Sequence, residues 1–227
     1  MFHVKKALLT VLALLFIAAP GFGSVAGNLT AELEPVIVGQ INQTDVVVTP
    51  VEESIWLQLR TVGQEKVFWT RMAITAIIQG GGEKGPVINR LLRTSKDISE
   101  TLIPYLGKEA AGKYGALIEE NLNTTLELAT ATKDGNQTAL KNANSRWYKN
   151  TDEIAFFENT TIPSLSLNDR KAMWYEHINL TTKETNELLN KDYTASIDTT
   201  DRIEEQANLM SDSLANGIIL QFPEKFH

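Results

Sequence analysis

Apolar residues recur along most of this chain at helical spacing. In the stretch opening at Val51, the residues Ile55, Leu59, Val62, Trp69, Ala73 and Ala76 follow steps of four, three and seven. That is the stripe of one amphipathic helix face. Gly80-Gly81-Gly82 ends this helix, and Gly85-Pro86 opens the next, because proline is tolerated in a first helical turn. The second helix runs to about Leu106, where Pro104 and Gly107 impose a break or kink. A third helical stretch follows over 108–133 with Ile118, Leu122 and Leu126, and Asp134-Gly135 reads as a turn.

The next helix spans Asn136 to Asn159, with Leu140, Ala143, Trp147, Ile154 and Phe157 on one side. Ser166 reads as an N-cap with Asp169 three residues on, and that helix extends to about Lys191. A last helix begins near Ser196 to Asp198, carries Ile203, Ala207, Met210, Leu214 and Ile218, and stops at Pro223. Long helices joined by short loops pack as antiparallel neighbours. The expected fold is therefore all-α: an antiparallel up-and-down bundle of four to five long helices over 51–227.

Two different segments precede it. Residues 1–26 read as an export signal: Lys5 and Lys6, a continuous apolar run broken only by Thr10, then Pro20-Gly21 and the small residues Ser24 and Ala26. The run is too short for a transmembrane helix, which needs about 20 apolar residues. Residues 27–50, rich in Thr, Val and Asn, read as an extended stalk. The expected location is secreted or cell surface, with the membrane touched only through the signal segment if it is left uncleaved.

Charge and composition narrow the partners. The chain carries 21 Lys and Arg against 28 Asp and Glu, and losing Lys5 and Lys6 with the leader moves the net charge from −7 to −9. Such an acidic surface argues against nucleic acid, whose recognition needs clustered cations. The absence of cysteine excludes disulfides, thiolate metal sites and cysteine nucleophiles. Asn28, Asn42, Asn123, Asn136, Asn159 and Asn179 each start an Asn-x-Thr sequon, which in an exported chain points to N-glycosylation and to an archaeal or eukaryotic envelope.

The chemistry, if any, lies where polar residues interrupt the apolar stripes. Lys66 falls between Val62 and Trp69, Asn121 beside Ile118, and Asn150 between Trp147 and Ile154, while His177 and Glu184 share a face with Met173, Leu180 and Leu188. Glu65, Glu120 and Asp152 stand next to these positions, and Arg90, Arg93 and Asp97 share another helix face. Burying such groups costs several kcal/mol unless each finds a partner. They either pair across the bundle and set its register, or they surround a ligand or metal. The candidate binding set is Glu65, Lys66, Arg93, Asp97, Glu120, Asn121, Asn150, Asp152, His177 and Glu184, with His177 as the single metal-ligand candidate. The one Glu-x-x-His run, Glu224 to His227, lies beyond Pro223 and has no second copy on another helix, as a di-iron bundle needs. No His-Glu-x-x-His motif, serine-hydrolase elbow or phosphate loop occurs, so no reaction and no cofactor are implied.

Trp69-Thr70-Arg71, Arg90 to Arg93, Asp97-Ile98, Trp147-Tyr148 with Asn150, and Asp152 to Ala155 carry a resemblance over the whole bundle. His177 with Thr181 and Glu184, Gly217-Ile218, Gln221 to Pro223 and Lys225-Phe226 extend it. In these pieces the chain resembles a poorly characterised family of small helical-bundle proteins from Bacillus-type bacteria and methanogenic archaea, with no established activity. The resemblance implies that Glu65-Lys66 and Glu120-Asn121 stand where relatives place an acidic residue and a histidine, so that His177 keeps the third of three histidines. A metal site would then be lost here, with Lys66 supplying positive charge and pairing with a core carboxylate such as Glu184. The resulting functional expectation is an exported glycoprotein with an interaction or structural role toward an envelope or extracellular partner. The alternative is a small-ligand or metal-binding bundle, a sensor or carrier, centred on His177.

Overall fold

The computed structural model describes Val48 to Phe226. The signal segment, nearly all of the stalk segment, Asn28 and Asn42 lie outside the described residues. Five α-helices account for most of the described chain: α1 Pro50–Gln79, α2 Lys84–Lys133, α3 Gln137–Thr161, α4 Leu167–Leu189 and α5 Tyr193–Gln221, closed by a 3-10 turn at Pro223–Lys225. The fold is an all-α bundle, as the periodicity predicts.

Local chemistry sets the boundaries. Thr49 caps α1 in a reciprocal box: its hydroxyl accepts from the Glu52 N–H, and the Glu52 carboxylate accepts from the Thr49 N–H at 2.7 Å. Pro50 follows at the first helical position, and Gly80, with φ 78°, ends the helix. Ser166 caps α4 through the Asp169 N–H. The last helix starts earlier than the apolar stripe suggests. Lys191 turns the chain at φ 61°, and the Asp192 side chain accepts from the Ala195 N–H, so α5 begins at Tyr193 and not at 196–198.

Gly107 makes α2 two arms. Its φ of 79° and ψ of 162° lie outside helical space. In a straight helix Ser99 and Ala111 would stand about 18 Å apart. Here the Ser99 hydroxyl donates to the Ala111 carbonyl at 2.9 Å. Gly115 approaches so closely that a Cβ there would fall 2.8 Å from Ser99 Cβ. The arms 84–106 and 108–133 are therefore antiparallel neighbours, an αα-hairpin with a glycine corner.

Around the bundle, α1 packs on α2 and α5, α3 on α2 and α4, and α4 on α5. The ring closes on one main core that includes Ile55, Leu91, Leu102, Ile154, Trp174 and Ile218. The C-terminus fastens it: Phe226 stacks on Tyr105 at 5.5 Å, and its carbonyl accepts from the Thr49 hydroxyl. Among the described residues, no helix is long and apolar enough to cross a membrane.

Candidate functional site

Three helices bring a chain of polar groups into the core. Lys66 comes from α1, His177 from α4 and Gln206 from α5, and all three are buried. Lys66 Nζ lies 2.8 Å from His177 Nε2, His177 Nδ1 lies 3.0 Å from Gln206 Oε1, and Gln206 Nε2 donates to the Met173 carbonyl at 2.6 Å. That last bond orients the whole chain. A flipped amide would set oxygen against oxygen, so Gln206 must present its carbonyl to the ring. His177 therefore carries its proton on Nδ1, and Nε2 offers a lone pair that Lys66 fills by donating.

The charges follow from burial. Desolvation, and then the nearby Lys66 charge, push the His177 imidazolium well below its ordinary range, so the ring is neutral. Burial lowers the Lys66 ammonium from 10.5 to about 8, and it is still mostly charged at neutral pH. Its Nζ also lies 5.5 Å from the Trp174 ring centre, where the π face favours a cation. Among the described residues no Asp or Glu forms an ion pair with it.

A cavity of about 60 Å³ opens beside these groups, walled largely by Leu59, Val62, Ile98, Ile118, Met210 and Leu214. It is large enough for a few heavy atoms or ordered water. Gly63 of α1 lines it close against α5, and a Cβ there would meet the Ser211 hydroxyl at 2.8 Å.

Beside the cavity stands a second buried group. Glu158 and Arg170, 1% and 2% exposed, pair through Nε–Oε2 at 2.6 Å and Nη2–Oε1 at 2.8 Å. Tyr114 and Trp174 also donate to Glu158, and Arg170 Nη1 donates to the Met210 carbonyl. Burial alone would lower the Arg170 pKa, but Glu158 outweighs it and the net direction is up. Burial, followed by the Glu158 charge, raises the Tyr114 hydroxyl well above its usual value. This cluster satisfies itself and neutralises its own charge.

The ten candidate residues thus fall into separate places. Lys66 and His177 meet as the periodicity suggests. Glu184 does not join them: two helical turns beyond His177, about 10 Å along α4, it accepts from Arg71 at 2.5 Å and from Thr200. The expected Lys66–Glu184 pair is therefore replaced by Arg71–Glu184, because Arg71, five residues and about 7.5 Å beyond Lys66 along α1, stands in the layer of Glu184. Asn121 and Asn150 form a buried amide pair at 2.9 Å joining α2 to α3, with Asn150 donating onward to the Leu117 carbonyl. Glu65, Arg93 and Asp97 lie in a surface network around Arg90, which stacks over Trp69. Glu120 reaches toward Arg146 at the surface, and Asp152 binds Lys171 and the Tyr175 hydroxyl.

Both nitrogens of His177 are engaged within the protein, so a metal could take one only by displacing Lys66 or Gln206. Among the described residues no three His, Asp or Glu side chains gather as a metal set. Sequence reasoning missed Glu158 and Arg170, although each extends a stripe: Glu158 lies four past Ile154, and Arg170 four before Trp174 and seven before His177. Gln206 was missed as well, although it lies three past Ile203 and four before Met210, at helical spacing. No family model, curated protein or solved structure matches the chain.

Proposed function

We propose that the mature chain is an extracytoplasmic bundle that holds a small ligand in the Lys66–His177 cavity, acting as a carrier or sensor. One observation carries this reading: a buried amine with no acidic partner among the described residues lines a pocket between the helices. A purely structural core would close such a space, since protein interiors pack with few voids. The export signal and the sequons support an extracytoplasmic setting. The exposed apolar side chains Leu57 and Phe68 of α1, and Leu209 and Leu220 of α5, favour a second reading, an interaction role toward an envelope or extracellular partner.

The cavity reading is tested by fluorine NMR with fragments of a few heavy atoms, charged and neutral, trifluoroacetate and trifluoroethanol among them. Ala207, which lines the cavity, provides the block. Binding to the wild-type protein that is lost in Ala207→Leu supports the site. Absence of binding by every fragment, or binding untouched by the block, contradicts it.

A further inference from the structure

We propose that the ligand of this cavity is a short-chain monocarboxylate, its head on Lys66 Nζ and its tail among the apolar walls. The inference rests on the cavity reading above and adds the chemical class.

The donors decide the head group. An ammonium has three N–H bonds. Lys66 gives one to His177 Nε2, and the described protein atoms accept no other. The other polar groups around the cavity are already spent. Tyr114 and Trp174 donate to Glu158, Arg170 is held by Glu158 and the Met210 carbonyl, and the Ser211 hydroxyl donates to backbone carbonyls. Glu158 and Arg170 cancel in charge, and His177 is neutral. The cavity therefore presents one unit of positive charge and two free N–H bonds, all at one atom.

A carboxylate fits that demand. It is acceptor-only, forms charge-assisted bonds with an ammonium, and supplies the counter-charge that the core lacks. A second charge on the ligand would find no partner, because Leu59, Val62, Ile98, Ile118, Met210 and Leu214 offer only apolar surface. The volume of about 60 Å³ suits a tail of a few carbons. Inorganic anions would satisfy the head and leave the walls unused.

Calorimetric titration of the folded protein with acetate, propionate, butyrate, propionamide, propanol and chloride tests this. The expected result is that propionate or butyrate binds at least about tenfold more tightly than propionamide, propanol or chloride. Lys66→Met, an apolar replacement of similar length, should lose that preference while its circular dichroism stays helical. The propionate–propionamide comparison needs no variant, so it decides even if Lys66→Met fails to fold. Equal binding of propionamide or propanol overturns the carboxylate class and leaves the cavity reading standing. Equal binding of chloride overturns the apolar-tail requirement. If no probe binds, both readings fall together.

Discussion

Lys66 Nζ donates to His177 Nε2 across 2.8 Å of buried core, and no carboxylate among the described residues stands opposite. The fold thus tolerates a charged amine that it does not neutralise. Lowering its pKa from 10.5 to about 8 corresponds to a penalty of about 3 kcal/mol. Lys66→Met removes that penalty and leaves His177 Nε2 without a donor, which costs about 1 kcal/mol. The expected net change in urea denaturation at pH 7 is a gain of about 2 kcal/mol. A loss of several kcal/mol would mean that Lys66 has an anionic partner in the folded chain.

The same group sets the alkaline pH dependence. Between pH 8 and 10.5 the unfolded chain holds a proton on Lys66 that the folded chain has released. Stability therefore rises with pH across that window. The Lys66→Met variant should lack this rise, as measured by denaturation at several pH values.

His177 acts on the acid side. Its folded pKa is depressed, so as pH falls through 6.5 the unfolded chain takes up a proton that the folded chain refuses. Stability should fall with acidification from that point. In His177→Leu this contribution disappears, while Gln206 Oε1 loses its donor and Lys66 its acceptor, at a cost of about 1–3 kcal/mol at neutral pH. Thermal melts from pH 4 to 8 separate the two effects.

The Glu158–Arg170 pair should behave in the opposite way to Lys66. Removing one partner strands a buried charge, so Glu158→Leu should cost about 3–5 kcal/mol. Adding Arg170→Met in the same chain should recover much of that loss, because the core no longer holds an unpaired cation. Denaturant midpoints for the two singles and the double provide the cycle.

Among the sequons, side-chain geometry separates the sites. Asn136 and Asn179 are exposed, and their amide oxygens accept from the Ala139 N–H and the Tyr148 hydroxyl, leaving Nδ2 free for a sugar. Asn159 Nδ2 donates to the Leu165 carbonyl at 2.7 Å and holds the α3–α4 loop. Glycopeptide mapping of the protein isolated from its native source should find Asn136 and Asn179 occupied and Asn159 bare.

Helix positions were legible because period, caps and glycines are local signals. Gly80, Asp134-Gly135 and Ser166 act within a few residues of where they stand. The reversal at Gly107 was legible only as a break. A single residue at φ 79° says that the helix stops, while the close approach of Gly115 to Ser99 says which way the chain then runs. The site was legible by residue but not by pairing. Stripe position put Lys66 and His177 in the core, yet the layer each occupies depends on helix stagger, which carries no sequence signal. That stagger sent Glu184 to Arg71 and brought Gln206 onto His177. Glu158 and Arg170 show a further limit: two opposite charges each look exposed until their mutual contact is known.

Lys66 is a buried amine with no counter-charge among the described residues, and its own titration reports whether an anion binds beside it. Following its side chain by NMR through a pH titration, with and without saturating propionate, gives the most direct measurement. The expected midpoint is near 8 for the free protein, with a clear upward move on adding propionate, because the ligand favours the charged form. A midpoint at the ordinary 10.5, unchanged by propionate, would contradict it.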